Sequence, residues 1–314
     1  MINTVTGQIK KRNYGTVLIH EHIRCASNDL LHTFGRKWHD EKYLAEFATK
    51  ILDEMRIKYG LGLWVDGTPI DLGRDYSLLR KVSEKSGVFI VASTGLYHFP
   101  SCYTAGHSEM EIASWFIEEY RNGMEGSTVK PGILKGASDA AGITKDNLKR
   151  LKALAIAQEE TGLPLYVHSN HKGDLVDEQL GVLLETISNP EKIIIGHAAN
   201  RPDADYLERI LDKGCYIAMD QCHCAGYSME DIGKTLVKLV RDGYEDKILL
   251  SNDLCIYTDF GTRKNTGFQL SVDEQVKRYG HLFNDVYQGF CEAGGSESEF
   301  QKMLQENSVE VLDV

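Results

Sequence analysis

Eight short apolar runs, separated by stretches of helical spacing, constrain this chain more than any other feature. They cover residues 16–22, 63–66, 88–94, 132–135, 165–168, 193–197, 216–220 and 248–253. Several are continuously apolar rather than alternating, as in strands of a parallel sheet covered on both faces. Between them, residues 146–160 carry Leu148, Leu151, Leu154 and Ala155 on one face, with Thr144 as N-cap and Gly162 as stop. Residues 206–211 run on into Lys213-Gly214, which reads as a basic last turn and a C-cap glycine. After the last run, Ser271 to Glu274 and Ser296 to Glu299 each spell a capping box. Strand and helix alternating eight times predict an α/β protein, a (β/α)8 TIM barrel. A single domain over residues 1–314 fits that architecture.

Composition narrows the partners. A formal net charge of −11 argues against nucleic acid, because phosphate backbones need a basic face. No apolar run approaches the roughly 20 residues of a membrane span. The first residues, Met1 to Thr6, lack the apolar core of a signal peptide, so the expected home is the cytoplasm. Seven scattered cysteines fit reduced thiols better than a disulfide scaffold. Cys222-His223-Cys224 is either a fragment of a metal site or a loop of small, soft side chains.

The chemistry-bearing residues cluster at the ends of these runs. His20 and His22 are two apart on one run, so both imidazoles project from the same face of a strand and can chelate one metal ion. Lys135, His168, His197 and Asp253 each end another run. Catalytic residues of such barrels sit at the C-terminal ends of strands. Singly, each has a plainer reading: a hydrogen-bonded core histidine, a helix N-cap for Asp253, a surface charge for Lys135. Together on one rim they point to a metal centre.

These same residues resemble the phosphotriesterase family of the amidohydrolase superfamily. The resemblance is carried by His20-Glu21-His22, Lys135 after Gly132-Ile133-Leu134, His168, Ile195-Gly196-His197 and Ser251-Asn252-Asp253. It extends to Val5-Thr6-Gly7, Asp71-Leu72-Gly73-Arg74-Asp75 and Ala92 to Tyr97, and so spans nearly the whole chain in order. It implies a binuclear metal centre, usually zinc, with manganese or cobalt as alternatives. His20, His22 and Asp253 would hold the more buried ion, and His168 and His197 the more exposed one. N6-carboxylated Lys135 and a hydroxide would bridge the two. Asp253 would then take the proton of the attacking hydroxide and pass it to the leaving group.

Family resemblance implies either an organophosphate triesterase or a lactonase, and some of the lactonases take phosphorylated sugar lactones. Tyr97 sits where lactonase-type members place a tyrosine near the leaving oxygen, or else is a wall aromatic. His171 and Lys172 follow the fifth run, and Arg263 and Lys264 follow the eighth. Cations near the mouth of an acidic barrel suit an anionic lactone, although each is also readable as a solvated loop charge. The expectation is a metal-dependent hydrolase opening a lactone ring. A phosphotriesterase or other ester hydrolase is the alternative within the class, and a non-catalytic metal-dependent binding protein the alternative outside it. A homodimer is compatible with the sequence.

Overall fold

The structure, a computed structural model, describes residues 1–260 and 270–314. Among the described residues eleven strands form, numbered here in chain order. An antiparallel pair, β1 (Ile2–Thr4) and β2 (Gly7–Ile9), precedes the main sheet. That sheet contains β3 (Thr16–Cys25), β4 (Leu61–Asp66), β5 (Phe89–Gly95), β6 (Ile133–Ser138), β7 (Leu165–Ser169), β8 (Ile193–Ile195), β9 (Tyr216–Met219), β10 (Ile248–Leu250) and β11 (Cys255–Thr258). Each pairs in parallel with the next from β3 to β10, and β11 pairs with β3. This is the (β/α)8 barrel, with its eighth strand split: β10 completes one edge and β11 the other.

The split has a cause in Glu21. Its buried carboxylate accepts from the amides of Asn252 at 2.7 Å and Leu254 at 2.9 Å, and from the Ser251 hydroxyl at 2.8 Å. Those amides are therefore taken by a side chain rather than by a neighbouring strand. Asp253 N donates to His20 O and His22 N to Leu254 O, which closes the ring. The predicted run 248–253 thus ends early as a strand, at Leu250. β8 likewise stops at Ile195, because the amide of His197 donates to the Asp220 carboxylate at 2.8 Å.

Two cores follow from the two faces. Inside the barrel, Val17, Leu63, Val91, Ile133, Ile194 and Leu249 pack together, and Ile2, Val311 and Leu312 plug the N-terminal end. Between sheet and helices lies the larger core, which includes Leu151, Leu154 and Ala155 of the helix Lys145–Thr161. That helix has the expected Thr144 cap and left-handed Gly162, and both capping boxes form. The helix Ala204–Leu211 ends short of the expected glycine: Asp212 caps it, and Gly214, at φ +87°, turns the chain beyond it. Among the described residues, no helix is long and apolar enough to cross a membrane.

The stretch Asp71 to Asp75 locks the wall beside the site. Asp71 accepts from Tyr97 N at 2.8 Å, and Arg74 pairs with Glu119 and Glu125. Asp75 caps the helix Tyr76–Ser86 and faces Arg24. Gly73 has φ +92°, and a Cβ there would lie 2.3 Å from Ala26 O.

Candidate metal centre

His20 and His22 lie within β3, which runs on to Cys25, rather than at its end. Lys135 is likewise the third residue of β6. Its long side chain covers the remaining distance: Nζ reaches 2.6 Å from His20 Nε2, over the face of Tyr166. His168 is in β7, and His197 and Asp253 follow β8 and β10. All six converge. Asp253 Oδ1 is 3.2 Å from His22 Nε2 and 3.7 Å from His20 Nε2, and His197 Nε2 is 2.6 Å from His168 Nδ1.

Outer carboxylates and hydroxyls decide which nitrogen faces inward. Asp220, fully buried, accepts from His20 Nδ1 and His197 Nδ1, each at 2.8 Å, and from the Tyr166 hydroxyl. Both rings thus present Nε2 lone pairs to the centre. Thr68 Oγ1 donates to Arg24 O, so it must accept from His22 Nδ1, at 2.8 Å, and His22 Nε2 also faces inward. Gly67 completes the cradle, because a Cβ there would stand 2.5 Å from His20 Cδ2.

The chemistry of this donor set fits divalent ions. Among the described residues, two groups have spacing suited to an ion, His20 with His22 and Asp253, and His20 with His197 and Asp220. Asp220 already has its acceptor sites filled by the imidazoles and Tyr166, so the cluster around Asp253 is the open one. Burial, reinforced by the charge of Lys135, holds His20 down at about 3. Burial holds His168 well below the ordinary imidazole value too. Such neutral imidazoles are metal ligands. Burial opposes protonation of His22 as well, but Cys255 and Asp253 outweigh it and raise that ring to about 9. Burial alone lowers Lys135 to about 8 despite Asp253 and Asp220.

Three consecutive strand ends carry left-handed, non-glycine residues: His197 at φ +64°, Gln221 at +61° and Asp253 at +57°. Such backbone is uncommon and gathers at functional sites. Gln221 was not apparent from the sequence. Its Nε2 donates to Asp253 Oδ2 at 2.6 Å, while Oε1 accepts from Asn200 at 2.7 Å. Asp220 and Glu21 were also missed as site residues. The one available signal was that Asp220 ends the seventh apolar run, as His197 ends the sixth.

Two cavities open on the cluster. One, about 250 Å3, is lined by His20, His22, Lys135, Asp253, Tyr97 and the thiols of Cys25 and Cys255, which are 3.4 Å apart. The Tyr97 hydroxyl is 3.2 Å from His168 Nδ1, and Arg150 anchors its carbonyl. The other, about 380 Å3, is lined by Lys172, His168, His197, Gln221 and Asp139. His171 is no free cation: it is buried between Tyr206 OH and Gly196 O, and burial lowers it to about 4. Arg263 and Lys264 lie outside the described residues. Cys222 and Cys224 donate to backbone carbonyls in a turn, and neither belongs to a metal-spaced group among the described residues.

Comparison with known proteins agrees with this geometry. An aryldialkylphosphatase of Saccharolobus solfataricus is 35% identical over 260 residues, 82% of each chain. A phosphotriesterase homology protein of Mycobacterium tuberculosis is 26% identical over 322 residues, covering 99% of this chain and 97% of that one. An N-acetyltaurine hydrolase of Rattus norvegicus is 25% identical over 345 residues, covering 98% and 96%. The profile of the phosphotriesterase family matches residues 1–312. With hydrolases along its whole length as relatives and a buried His/Asp/Lys cluster on the barrel rim, the chain belongs to the phosphotriesterase family of metal-dependent hydrolases.

Proposed function

We propose that the protein opens lactone rings, with a preference for substrates bearing an anionic group. His20, His22 and Asp253 would hold one divalent ion, and His168 and His197 a second, with carbamylated Lys135 shared between them. Zinc suits these donors, and manganese or cobalt are alternatives. When bound, a pair of such ions lowers the pKa of a shared water and polarises the substrate oxygen. A lysine lowered to about 8 supports the carbamate, since its neutral amine adds to carbon dioxide with loss of a proton.

The chain's own groups supply the rest. Gln221 occupies Oδ2 of Asp253, so Oδ1 is the oxygen turned to the cluster. Asp253 would take a proton from the attacking water and return it to the ring oxygen as the acyl C–O bond breaks. Tyr97 would stand against that leaving oxygen. Lys172, with Arg263 or Lys264, would hold the anionic group.

One observation carries this reading: the Asp253 carboxylate and a backbone-anchored tyrosine line one small cavity floored by imidazoles. A second reading, phosphotriester hydrolysis, is favoured by the 35% identical relative named aryldialkylphosphatase. The test is a panel of neutral and phosphorylated sugar lactones, an aryl dialkyl phosphate and N-acetyltaurine on zinc- or manganese-loaded enzyme. Highest kcat/KM is expected for an anionic lactone, with Asp253→Asn at least about 100-fold slower. Faster turnover of the phosphotriester or the amide would overturn the lactonase reading.

A further inference from the structure

A cavity of about 560 Å3 lies away from the metal cluster. It lies outside the barrel, bounded by the helices Asn28–Phe34, Glu41–Tyr59 and Tyr76–Ser86, and shares no lining residue with the two cavities at the mouth. Its size is that of a small-molecule site.

Charge in this cavity runs against the whole chain. Arg24, Arg36, Lys42, Lys81 and Lys85 face Glu41, Glu46 and Asp75, an excess of two positive charges in a protein of net −11. Arg24 is engaged with Asp75 and Gly73 O, and Lys81 with Glu41. Among the described residues, Arg36, Lys42 and Lys85 make no ion pair, so the excess is held by side chains free to turn to a ligand.

His39 gives the second, independent sign. It is 9% exposed, lines the cavity and stacks on Tyr257 with ring centroids 4.9 Å apart. Neither of its ring nitrogens has a hydrogen-bond partner among the described residues. Burial and the nearby Arg24 hold this ring below the ordinary imidazole value. A neutral imidazole offers one donor and one acceptor. Buried polar groups in native structures are paired as a rule. An occupant that both accepts and donates, as a phosphate oxygen next to a hydroxyl does, would satisfy both nitrogens.

We propose that this cavity is a second binding site, separate from the metal cluster, for a hydroxylated phosphate monoester of sugar-phosphate size. Arg36, Lys42 and Lys85 take the dianionic phosphate, and its charge matches the excess of two. His39 bridges a phosphate oxygen and a hydroxyl. The site rests on its own residues and stands or falls apart from the lactonase reading.

Titration calorimetry of the metal-loaded enzyme with glucose 6-phosphate tests this, with glucose as the uncharged control. Phosphate esters also approach metal centres, so the discriminating protein is the double variant Arg36→Ala/Lys85→Ala, which alters two exposed side chains and should fold normally. Its affinity for glucose 6-phosphate should fall about tenfold or more, and that for glucose should stay negligible throughout. His39→Phe, which keeps the stack on Tyr257, should weaken binding similarly. Absence of binding up to millimolar concentration would overturn the proposal. So would a double variant within twofold of wild type, which would place all binding at the metals, or glucose binding as tightly as its phosphate.

Discussion

Asp220 accepts from the Nδ1 atoms of His20 and His197, and this decides which nitrogen of each ring faces the cluster. An asparagine there keeps the shape but offers one acceptor oxygen, so one of the two rings loses its fixed tautomer. Asp220→Asn should weaken zinc binding about 10- to 100-fold, the usual effect of losing such an outer partner. Competition with a chelator measures it, and an affinity unchanged within twofold would make Asp220 scaffold only. Lys172 is a different kind of residue, exposed at the rim of the cavity it lines. A charge-assisted contact is worth roughly 1.5–3 kcal/mol, or about 10- to 150-fold. Lys172→Ala should therefore lower kcat/KM by that factor for an anionic lactone and leave a neutral one unchanged. An equal loss on both substrates would show that Lys172 supports the loop rather than the substrate.

β3 carries two of the six converging residues, and its partners explain how much of the site could be read in advance. The six converging residues were legible because His, Lys and Asp are conspicuous at the ends of apolar runs. Glu21 was not, although it sits between the two histidines. Its role depends on amides of residues 252 and 254, which are distant in sequence. For the same reason the split of the eighth strand was invisible: a run such as Leu249-Leu250 announces a strand, not the carboxylate that ends it. β1 was missed because three residues show no period. The metal-free protonation of these strands gives a pH prediction. His22, raised to about 9, and Lys135, at about 8, are both mainly protonated at pH 7. A bound ion needs a neutral imidazole, and a carbamate needs an unprotonated amine, so each proton must leave on loading. Zinc affinity should climb from pH 6 to about 9 and flatten above. His20, at about 3, adds no slope in that range. A competition titration under constant bicarbonate reads this, and a profile flat from pH 6 to 8 would contradict it.

The barrel is finished differently at its two ends. At the N-terminal end, Ile2, Val311 and Leu312 plug an apolar interior, and the Val314 amide donates to Met1 O. At the other end, Glu21, His20, Lys135, Asp220 and His197 are all buried polar groups arranged around the converging donors. Burying such groups is costly unless they are paired, and here the inward-facing nitrogens pair with Lys135, His168 and Asp253, contacts that a bound ion would replace. The plugged end should therefore be indifferent to metal, while the rim should depend on it. An ion that binds the folded state alone adds about 4 kcal/mol at a thousandfold excess over its Kd. With an unfolding entropy of about 2.1 cal/mol/K per residue, a chain of 314 residues shifts by about 1.5 °C per kcal/mol, so stripping even one ion should lower the melting temperature by roughly 6 °C. Hydrogen exchange then locates the loss. In chelator, the amides of Asn252, Asp253, Leu254 and His197, which close the ring and hold the cluster, should exchange faster, whereas those of β1 and residues 309–312 should not. If the melting temperature falls but both ends loosen together, the ions stabilise the barrel as one cooperative unit. If neither end loosens and melting is unchanged, the inward-facing nitrogens are satisfied without metal, and the reading of this rim as a metal centre fails with them.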